Sequence, residues 1–391
     1  MPRTILHLDL DAFFCAVEEL RDPSLRGKAF AVGGKPDQRG VVASCSYTAR
    51  QFGVRSAMPM ARALILCPEL TIISHHHGNY GEMSDRVMER LNNLSPLVEQ
   101  ISIDEAFVDI SDIRDPAEVT ARTIQNRIQA ELGLPCSVGV ASNKLVAKIA
   151  TEVGKHSARG AGPPNAVTIV PAGKEAEFLA PLPVEMLWGV GPKTAASLSE
   201  LGIKTIGDLA AWGEKDLVAR FGEHGREMSR HAKGISVSPI VIEHEVKSIS
   251  QETTFSRDVR DDKVLESTLK ELSAQVGRRL RRSDLTGKTV KLKIRWPDFT
   301  TLTRQTTLAS PTDQDDEIAL TVISLMKGVR SPGKPVRLIG VGVSGLTTEA
   351  RQLELWGMES EKKRKFQGVI DELQDKFGEK TVHKGQMKDR E

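Results

Sequence analysis

The chain has no long hydrophobic segment. Of its 391 residues, 39% are hydrophobic, which is enough for globular cores. No run approaches the roughly 20 apolar residues that a membrane-spanning helix requires. The amino terminus, Met1-Pro2-Arg3-Thr4, lacks the basic segment and apolar core of a secretion signal. We therefore expect a soluble, cytoplasmic protein with no membrane partner.

Cysteine is scarce, and the phosphate loop of common nucleotide-binding proteins is missing. The four cysteines lie far apart and form no Cys-x-x-Cys pair, which argues against a disulfide framework or a zinc site and for reduced core thiols. Gly33-Gly34-Lys35 lacks the Gly-x-x-x-x-Gly-Lys-Ser/Thr spacing of a Walker loop. Any nucleotide site must therefore be built in another way.

Acidic residues occur where a protein core should have none. Asp104 and Glu105 interrupt an apolar run, Gln100–Asp109, that otherwise reads as a buried strand, and Asp9 ends another apolar run. An ionised carboxylate in an apolar interior must be paired, neutralised or bound to metal. If the two strands are neighbours, three carboxylates meet, and such an all-oxygen site suits Mg²⁺. The alternative is two ordinary strand ends with solvated acids.

Basic residues are concentrated, although the net charge is only +2. Nine lysines and arginines lie in residues 278–304, against two acids. In the strand predicted at 289–296, Lys291, Lys293 and Arg295 alternate with apolar residues, so one face is basic. Such a stripe can protect a sheet edge from aggregation. Because an arginine cluster ends the preceding predicted helix, we favour contacts with nucleic-acid phosphates.

The hydrophobic pattern divides the chain into regions of mixed α and β character. Strands and helices alternate in the first part, short helices follow, and a third part reads β-α-β-β-α-β. In the short-helix region, Gly189-Val190-Gly191-Pro192-Lys193 indicates a helix-hairpin-helix. Its tight turn exposes helix-terminal N–H groups that can bind phosphate at Gly189, Gly191 and Lys193.

Four motifs together resemble a known family. They are Asp-x-Asp-x-Phe-Phe at 9–14, Ser-Tyr-Thr-Ala-Arg at 46–50, Gly-Val-Arg-Ser-Ala-Met-Pro at 53–59 and Ser-Ile-Asp-Glu-Ala-Phe at 102–107. The chain resembles Y-family translesion DNA polymerases over nearly its whole length, most closely their DNA polymerase IV branch. The resemblance implies an α+β multidomain fold. Its parts would be a ferredoxin-like palm (1–10 and 76–166), small fingers (11–75), a helical thumb with the helix-hairpin-helix (167–234), a β-α-β-β-α-β little finger (243–346) and a tail (347–391).

By this resemblance the acids form the catalytic centre. Asp9, Asp104 and Glu105 would bind two Mg²⁺ ions roughly 4 Å apart, with help from the Leu10 backbone carbonyl and with Mn²⁺ as an alternative. Asp104 and Glu105 are the implied catalytic residues. The ions would lower the pKa of the primer 3′-hydroxyl and stabilise phosphoryl transfer. Asp11 matches a family acid that is not usually a direct ligand.

The resemblance also locates the nucleotide. Tyr47 and Arg50 would grip the β- and γ-phosphates, with Lys155 as a third contact. The family's Lys-Pro-x-Gly is replaced here by the sequence from Lys155 to Gly160, which leaves open whether Lys155 or Arg159 makes that contact. Phe14 would be a steric gate beneath the sugar, or, alternatively, a core residue. The other implied neighbours of the nucleotide are Phe13, Ser44, Val41 and Ala57.

The implied partners are primer-template DNA, dNTPs and a sliding clamp. Gln352, Leu353, Leu355 and Trp356 resemble a clamp-binding peptide, and the alternative is a linker with chance apolar residues. We expect a monomer that copies DNA with low fidelity and without proofreading. Two rivals are an inactive DNA-bound scaffold, which would lack the acids, and a two-metal nuclease, which would not need Tyr47, Arg50 or Phe14.

Overall fold

The computed structural model describes residues 3–158, 160, 162–348 and 358–378. It contains two compact units, Met1–His244 and Glu245–Glu391. Both units combine helices with antiparallel sheet, which confirms the predicted α+β multidomain class. Among the helices of the described residues, none has the length and apolar character needed to cross a membrane. All four cysteines are free and buried, as predicted.

A five-stranded sheet is the centre of the first unit. Its strands are β1 (Ile5–Leu10), β5 (Val98–Gln100), β6 (Glu105–Asp109), β7 (Cys136–Ala141) and β8 (Val167–Ile169), in the order β5-β6-β1-β7-β8. β1 lies in the middle, antiparallel to β6 and β7. Side chains alternate between the two faces of a strand, so β1 presents leucines to one face and Ile5, His7 and Asp9 to the other.

Helices cover both faces of this sheet. The leucines of β1 join the core formed by α1 (Phe13–Arg21), α4 (His77–Asn92) and α5 (Ala117–Leu132). The opposite face packs against α6 (Lys144–Ser157), whose apolar residues share a second core with Ile5 and Phe107. Each fully buried leucine contributes about 1.5–3 kcal/mol to folding. Two opposed cores therefore hold β1, and with it Asp9, in place.

A small second sheet follows in the chain. It contains β2 (Phe30–Gly33), β3 (Val42–Cys45) and β4 (Thr71–Ile73) in the order β3-β2-β4, with α2 (Tyr47–Gln51) and α3 (Met60–Leu66) beside it. β2 and β3 pair antiparallel and form a hairpin. Gly34 and Gly40 cross so closely that a Cβ on Gly40 would lie 2.1 Å from the Gly34 carbonyl carbon. Glycine is required there because the backbones touch.

Five short helices complete the first unit. They are α7 (Glu175–Leu179), α8 (Pro192–Glu200), α9 (Ile206–Ala211), α10 (Glu214–Phe221) and α11 (Glu223–Ala232). α9 begins with a capping box between Thr205 and Asp208, which satisfies helix-terminal N–H groups. Leucines of these helices share the core that α6 forms on the central sheet.

The second unit has the predicted β-α-β-β-α-β order. Its elements are β9 (Ser248–Val259), α12 (Asp262–Arg282), β10 (Thr286–Arg295), β11 (Thr301–Thr312), α13 (Asp315–Lys327) and β12 (Val336–Thr347). The antiparallel sheet has the order β11-β10-β12-β9. α12 and α13 pack on one face of it. A last helix, α14 (Met358–Phe377), contacts this unit through Asp371, whose Oδ2 lies 2.7 Å from Arg281 Nε.

Two expectations about local structure are wrong. Residues 100–109 do not form one strand, because β5 and β6 pair as a hairpin and Asp104 lies in its turn. The Ser102 hydroxyl donates a 2.6 Å hydrogen bond to Asp104, and such local side-chain bonds favour turns. The arginine cluster of α12 does not all join the basic face. Arg281 is buried between Asp315 and Asp371, and Arg278 is buried too.

Candidate active site

The three predicted metal-binding acids come together at the centre of the first unit. Asp9 on β1 pairs directly with Glu105 on the neighbouring β6. Asp104 immediately precedes β6, and its carbonyl accepts a 2.9 Å hydrogen bond from the Leu10 amide. The predicted proximity of Asp9 to the central acidic pair is therefore confirmed. Asp9 is buried, whereas Asp104 and Glu105 are half-buried.

Helix α6 places a row of lysines against this acidic face. Lys148 Nζ lies 2.7 Å from Glu105, and Lys155 Nζ lies 2.5 Å from Asp9. The same helix begins with Lys144, which is buried with Glu99 on β5 at 2.8 Å. Spacings of four and seven residues put these lysines on one side of a helix. Asp9, Glu105 and Glu99 therefore each face an ammonium group of α6, whereas the Asp104 carboxylate accepts its hydrogen bond from Ser102.

The pKa values of Asp9 and Glu105 are shifted in opposite directions. Burial raises the pKa of Asp9 to about 8, against the opposing attraction of Lys155, and the adjacent Glu105 raises it further. Burial also acts on Glu105, but hydrogen bonds from Lys148 and Asp9 lower its pKa overall. Opposite shifts on adjacent carboxyls occur where one proton or cation is shared. A positive charge at this position therefore stabilises the ionised form of Asp9 more than that of Glu105.

The residues present fit a hard cation in their chemistry. The donors are carboxylate oxygens, and two lysine ammonium groups already stand beside Asp9 and Glu105 where positive charge is needed. Within the described parts of the chain, no three acidic, histidine or cysteine side chains converge as metal ligands in this arrangement. The Asp104 carboxylate accepts its hydrogen bond from Ser102. A rotation of Asp104 and release of the lysines would complete an all-oxygen site.

A cavity of about 490 Å³ opens beside Asp9 and Asp104, and Glu105 is not among its lining residues. It brings together residues that are far apart in sequence, from β1, α1, β3, α2 and α6. The predicted site residues in its lining are Asp9, Leu10, Phe13, Phe14, Ser44, Tyr47, Arg50, Asp104 and Lys155. Val41 and Ala57 are not in this lining; both are exposed, and Ala57 has a left-handed backbone.

Tyr47 and Arg50 form a cationic corner of the cavity. They lie on α2, which is capped by Ser46, whose hydroxyl accepts a hydrogen bond from the Ala49 amide. The Arg50 guanidinium lies 4.9 Å from the centre of the Tyr47 ring, within cation–π range. Burial raises the pKa of Tyr47, which keeps its hydroxyl protonated and able to donate. Both side chains are thus available to an anionic ligand.

Phe13 and Phe14 both line the cavity but differ in their burial. Phe13 is buried in the core beneath the sheet, whereas Phe14 is half-buried and forms part of the cavity wall. Ala12 precedes them with φ 48°, a left-handed conformation that costs a non-glycine residue about 1–2 kcal/mol. Strain of this kind is concentrated at functional sites. Here it turns the chain from β1 into α1 and directs the two rings.

Several residues of the site were not predicted from the sequence. The sequence did not single out Lys148, because its pairing with Glu105 depends on how α6 packs. Asp11 is buried and accepts bonds from Ser137 and from the Asn165 amide, which accounts for it without a metal. Further lining residues that the sequence did not indicate are Ala12, Ala43, Arg55, Ser56, Glu152, His156 and Pro164.

Comparisons with known proteins agree with this geometry. The impB/mucB/samB family model matches residues 8–152, its C-terminal domain matches 246–355, and the IMS family HHH motif matches 173–203. DNA polymerase IV of Dehalococcoides mccartyi (strain CBDB1) is 41% identical over 98% of this chain and 97% of its own length. The chain belongs to the DNA polymerase IV branch of the Y family. It is thus a member of a family of DNA-directed DNA polymerases.

Two further matches extend this result. DNA polymerase IV of Desulfatibacillum aliphaticivorans is 41% identical over 97% of this chain and 95% of its own length. A solved Y-family DNA polymerase chimera has the same fold, with a TM-score of 0.78 and 23% identity over 88% of this chain and 100% of its own. The Y-family arrangement of palm, fingers, thumb and little finger is therefore confirmed, whereas the residue boundaries that we predicted stay predictions.

The Y-family thumb carries the predicted hairpin. Gly189 has φ 99°, Gly191 precedes α8, and Pro192 is the first residue of that helix, as the sequence indicated. Lys193 is exposed beside the turn. The amino end of α8 therefore has unblocked backbone donors, which are suited to a phosphate.

The Y-family little finger carries the predicted alternation. Lys291, Lys293 and Arg295 point away from the core, and Leu292 and Ile294 are buried. Lys293 is paired with Glu252 on β9 at 2.6 Å, so part of its charge is compensated. The predicted clamp-binding residues Gln352, Leu353, Leu355 and Trp356 lie outside the described residues, as does Arg159.

Proposed function

We propose that this protein is a low-fidelity, template-directed DNA polymerase that adds dNTPs to a primer 3′ end without proofreading. The observation that carries the proposal is the pairing of Asp9 with Glu105 next to a cavity that also contains Tyr47, Arg50 and Lys155. Acids at one side and cationic or hydroxyl donors at the other suit a nucleoside triphosphate. A nuclease would have no use for the second group.

The triphosphate would be held by the fingers and by α6. The planar Arg50 guanidinium can donate two parallel hydrogen bonds to phosphate oxygens, and the protonated Tyr47 hydroxyl can donate another. Lys155 would leave Asp9 and bind a phosphate, because a mobile ammonium exchanges one anion for another at little cost. These three contacts orient the α-phosphate toward the acids, and orientation of this kind is a large part of phosphoryl-transfer catalysis.

Asp9, Asp104, Glu105 and the Leu10 carbonyl would bind two Mg²⁺ ions, with Mn²⁺ as an alternative. The ions, when bound, supply activation of the primer hydroxyl and compensation of charge on the transferred phosphate. Asp104 would turn from Ser102 to contribute, and Glu105 would exchange its bond with Lys148. The residues otherwise act by binding and orienting the nucleotide, and the burial of Asp9 on β1 keeps its carboxylate in a fixed position.

The remaining parts of the proposal concern sugar, template and duplex. Phe14 would exclude a 2′-hydroxyl, with Phe13 and Ser44 beneath the sugar, while the small Val41 and Ala57 would leave room over the nascent base pair. Such an open site would allow synthesis opposite damaged template.

Duplex DNA would be bound through its phosphates by two groups of residues. Gly189, Gly191 and Lys193 would bind duplex phosphates, and Lys291, Lys293 and Arg295 would bind others along the little finger.

Clamp binding is proposed from the sequence of Gln352, Leu353, Leu355 and Trp356, in which aliphatic and aromatic anchors would fill a groove. The protein would act as a monomer on primer-template DNA.

Incubation with primed template, Mg²⁺ and one dNTP at a time tests the activity. We expect extension by the templated nucleotide, and loss of extension in Asp104→Ala. A primer that becomes shorter would identify a nuclease. Activity that survives in Asp104→Ala would contradict the metal mechanism, and no change of primer length in the unsubstituted protein would leave a DNA-bound scaffold.

A further inference from the structure

A buried carboxylate lies one helical turn behind the Phe14 ring. Glu18 is on α1, four residues after Phe14, and only 3% of it is exposed. It is not part of the acidic cluster and does not line the cavity. A buried ionisable group requires strong partners, since its desolvation is costly. Glu18 therefore has a structural task that packing alone does not explain.

The partners of Glu18 are specific. Tyr80 on α4 donates a 2.6 Å hydrogen bond to Glu18 Oε1, and His76 Nδ1, at the start of α4, lies 2.9 Å from the same oxygen. Arg21 donates to the other oxygen from a half-exposed position. Hydrogen bonds to a carboxylate are short and about twice as strong as neutral ones. Glu18 thus fixes the first turn of α4 against α1.

Tyr80 carries this constraint to the cavity wall. Its side chain is fully buried, and its ring stacks on Phe14 with centroids 4.5 Å apart and an interplanar angle of 25°. Phe13 packs edge-on against the same ring at 6.4 Å. The face of Phe14 that turns away from the cavity therefore rests on a ring whose hydroxyl is held by a carboxylate.

We propose that Glu18 is a positioning residue for sugar selection, which acts through Tyr80 to hold Phe14 rigid. The inference rests on the proposed function, in which Phe14 excludes a 2′-hydroxyl. To exclude the single 2′-hydroxyl oxygen of a ribonucleotide, the Phe14 ring must not move by even a few tenths of an ångström. A phenylalanine ring on a half-buried turn has no polar group with which to fix itself. The Glu18–Tyr80 hydrogen bond supplies the missing anchor.

The test compares incorporation of a dNTP and the matching rNTP by the full-length protein on primed template with Mg²⁺. Tyr80→Phe keeps the stacked ring and removes only the hydroxyl. We expect it to lower the dNTP/rNTP ratio of kcat/KM by about tenfold, the factor that corresponds to loss of one charge-assisted hydrogen bond. Glu18→Leu should lower the ratio as much or more. Glu18→Gln, which can still accept from Tyr80, should restore most of it.

A double-substitution cycle separates positioning from general damage. In Phe14→Ala the gate is gone, so addition of Tyr80→Phe should leave the ratio unchanged. The inference would be overturned if Tyr80→Phe changed the dNTP/rNTP ratio equally in the presence and absence of the Phe14 ring. It would also be overturned if Tyr80→Phe left the ratio unchanged when Phe14 is present. Arg21→Gln is the matched control, because it removes the half-exposed contact of Glu18 and should preserve the ratio.

Failure of this inference differs from failure of the proposed function. A protein that cannot extend primers, or in which Phe14→Ala keeps sugar discrimination, contradicts the proposed function or its gate. A protein that extends primers and loses discrimination in Phe14→Ala, but not in Tyr80→Phe or Glu18→Leu, contradicts only the role of Glu18. Thermal unfolding of each variant accompanies the kinetics, and Tyr80→Phe serves as the deciding variant if Glu18→Leu does not fold.

Discussion

Single side chains define the chemistry of this site, and Phe14 is the one whose role is simplest to test. The ring lines the cavity from a half-buried position and leaves Phe13 to fill the core. Phe14→Ala should let ribonucleotides enter, with a fall in dNTP/rNTP discrimination of at least about tenfold, because removal of a ring opens more space than the methylene that separates similar substrates. Primer extension with each nucleotide measures it. Phe14→Tyr retains the ring and is the control; unchanged discrimination in Phe14→Ala would remove the gate assignment.

His7 is a second residue with a measurable signature. It is fully buried on β1, Nδ1 lies 2.9 Å from the Thr151 hydroxyl, and burial lowers its pKa from 6.5 to about 3. Within the described residues its Nε2 has no hydrogen-bond partner. A depressed folded-state pKa means that the unfolded chain binds the proton first as the pH falls. The stabilising effect is therefore complete above pH 6.5 and is lost as the pH falls toward 3.

Denaturant unfolding at neutral pH and at about pH 4.5 tests this prediction. His7 should account for a loss of about 2.5 kcal/mol of the free energy of unfolding between these conditions. His7→Gln cannot titrate, so its loss should be smaller than that of the unsubstituted protein by this amount. Parallel losses in the two proteins would mean that His7 does not titrate in this range.

At the scale of elements, helix α6 contains both a lysine buried in an ion pair and a lysine that lines the cavity. Lys144 and Glu99 are buried, and Glu99 also accepts a 2.8 Å bond from the Val241 amide. Lys144→Met leaves Glu99 uncompensated and should cost about 3–5 kcal/mol of stability. Thermal or denaturant unfolding measures that loss. A stability within experimental error of the unsubstituted protein would show that Glu99 finds another partner.

Lys155, three turns further along α6, lines the cavity beside Asp9. Lys155→Met should raise KM for dNTP by about tenfold or more, since one charged phosphate contact is lost. Its effect on affinity for primer-template DNA should be small. Steady-state kinetics and a DNA-binding titration separate the two. An unchanged KM would assign the phosphate contact to another residue, such as Arg159.

The strands and helices of the site could be predicted because their residue patterns are local. The apolar run that ends near Asp9 marked β1, and the glycines and proline of residues 189–192 marked the start of α8. The hairpin that puts Asp104 in a turn was missed, because its strands have only three and five residues. The acidic partners of the α6 lysines and of Arg281 depend on packing between segments that are distant in the sequence. No local residue pattern indicates these partners.

At the scale of the whole molecule, the second unit is expected to bind duplex DNA through the basic face of its sheet. The little finger contacts should be electrostatic, so affinity for duplex DNA should fall steeply with salt. Lys291→Ala should weaken binding similarly for all sequences and reduce the salt slope by about one unit if one phosphate contact is lost. Lys293→Ala should change it less, because Glu252 already pairs with Lys293. Equal effects of the two substitutions would mean that this ion pair opens on DNA.

The tail adds a prediction of a different kind. Deletion of residues 352–356 should abolish stimulation of synthesis by a sliding clamp and leave the basal rate of primer extension unchanged. Extension assays with and without clamp measure both quantities. Loss of the basal rate as well would assign the segment a role in folding.

The contact of Lys155 with Asp9 has a consequence for the order of events. A divalent ion that binds without a nucleotide must displace the Lys155 ammonium from Asp9, and no other anion is then supplied to pair with that ammonium. A nucleotide that arrives with its ion offers the amine a phosphate, so the two exchanges proceed together. If the acids bind magnesium as proposed, free magnesium should therefore bind this protein more weakly than magnesium that arrives with a nucleotide.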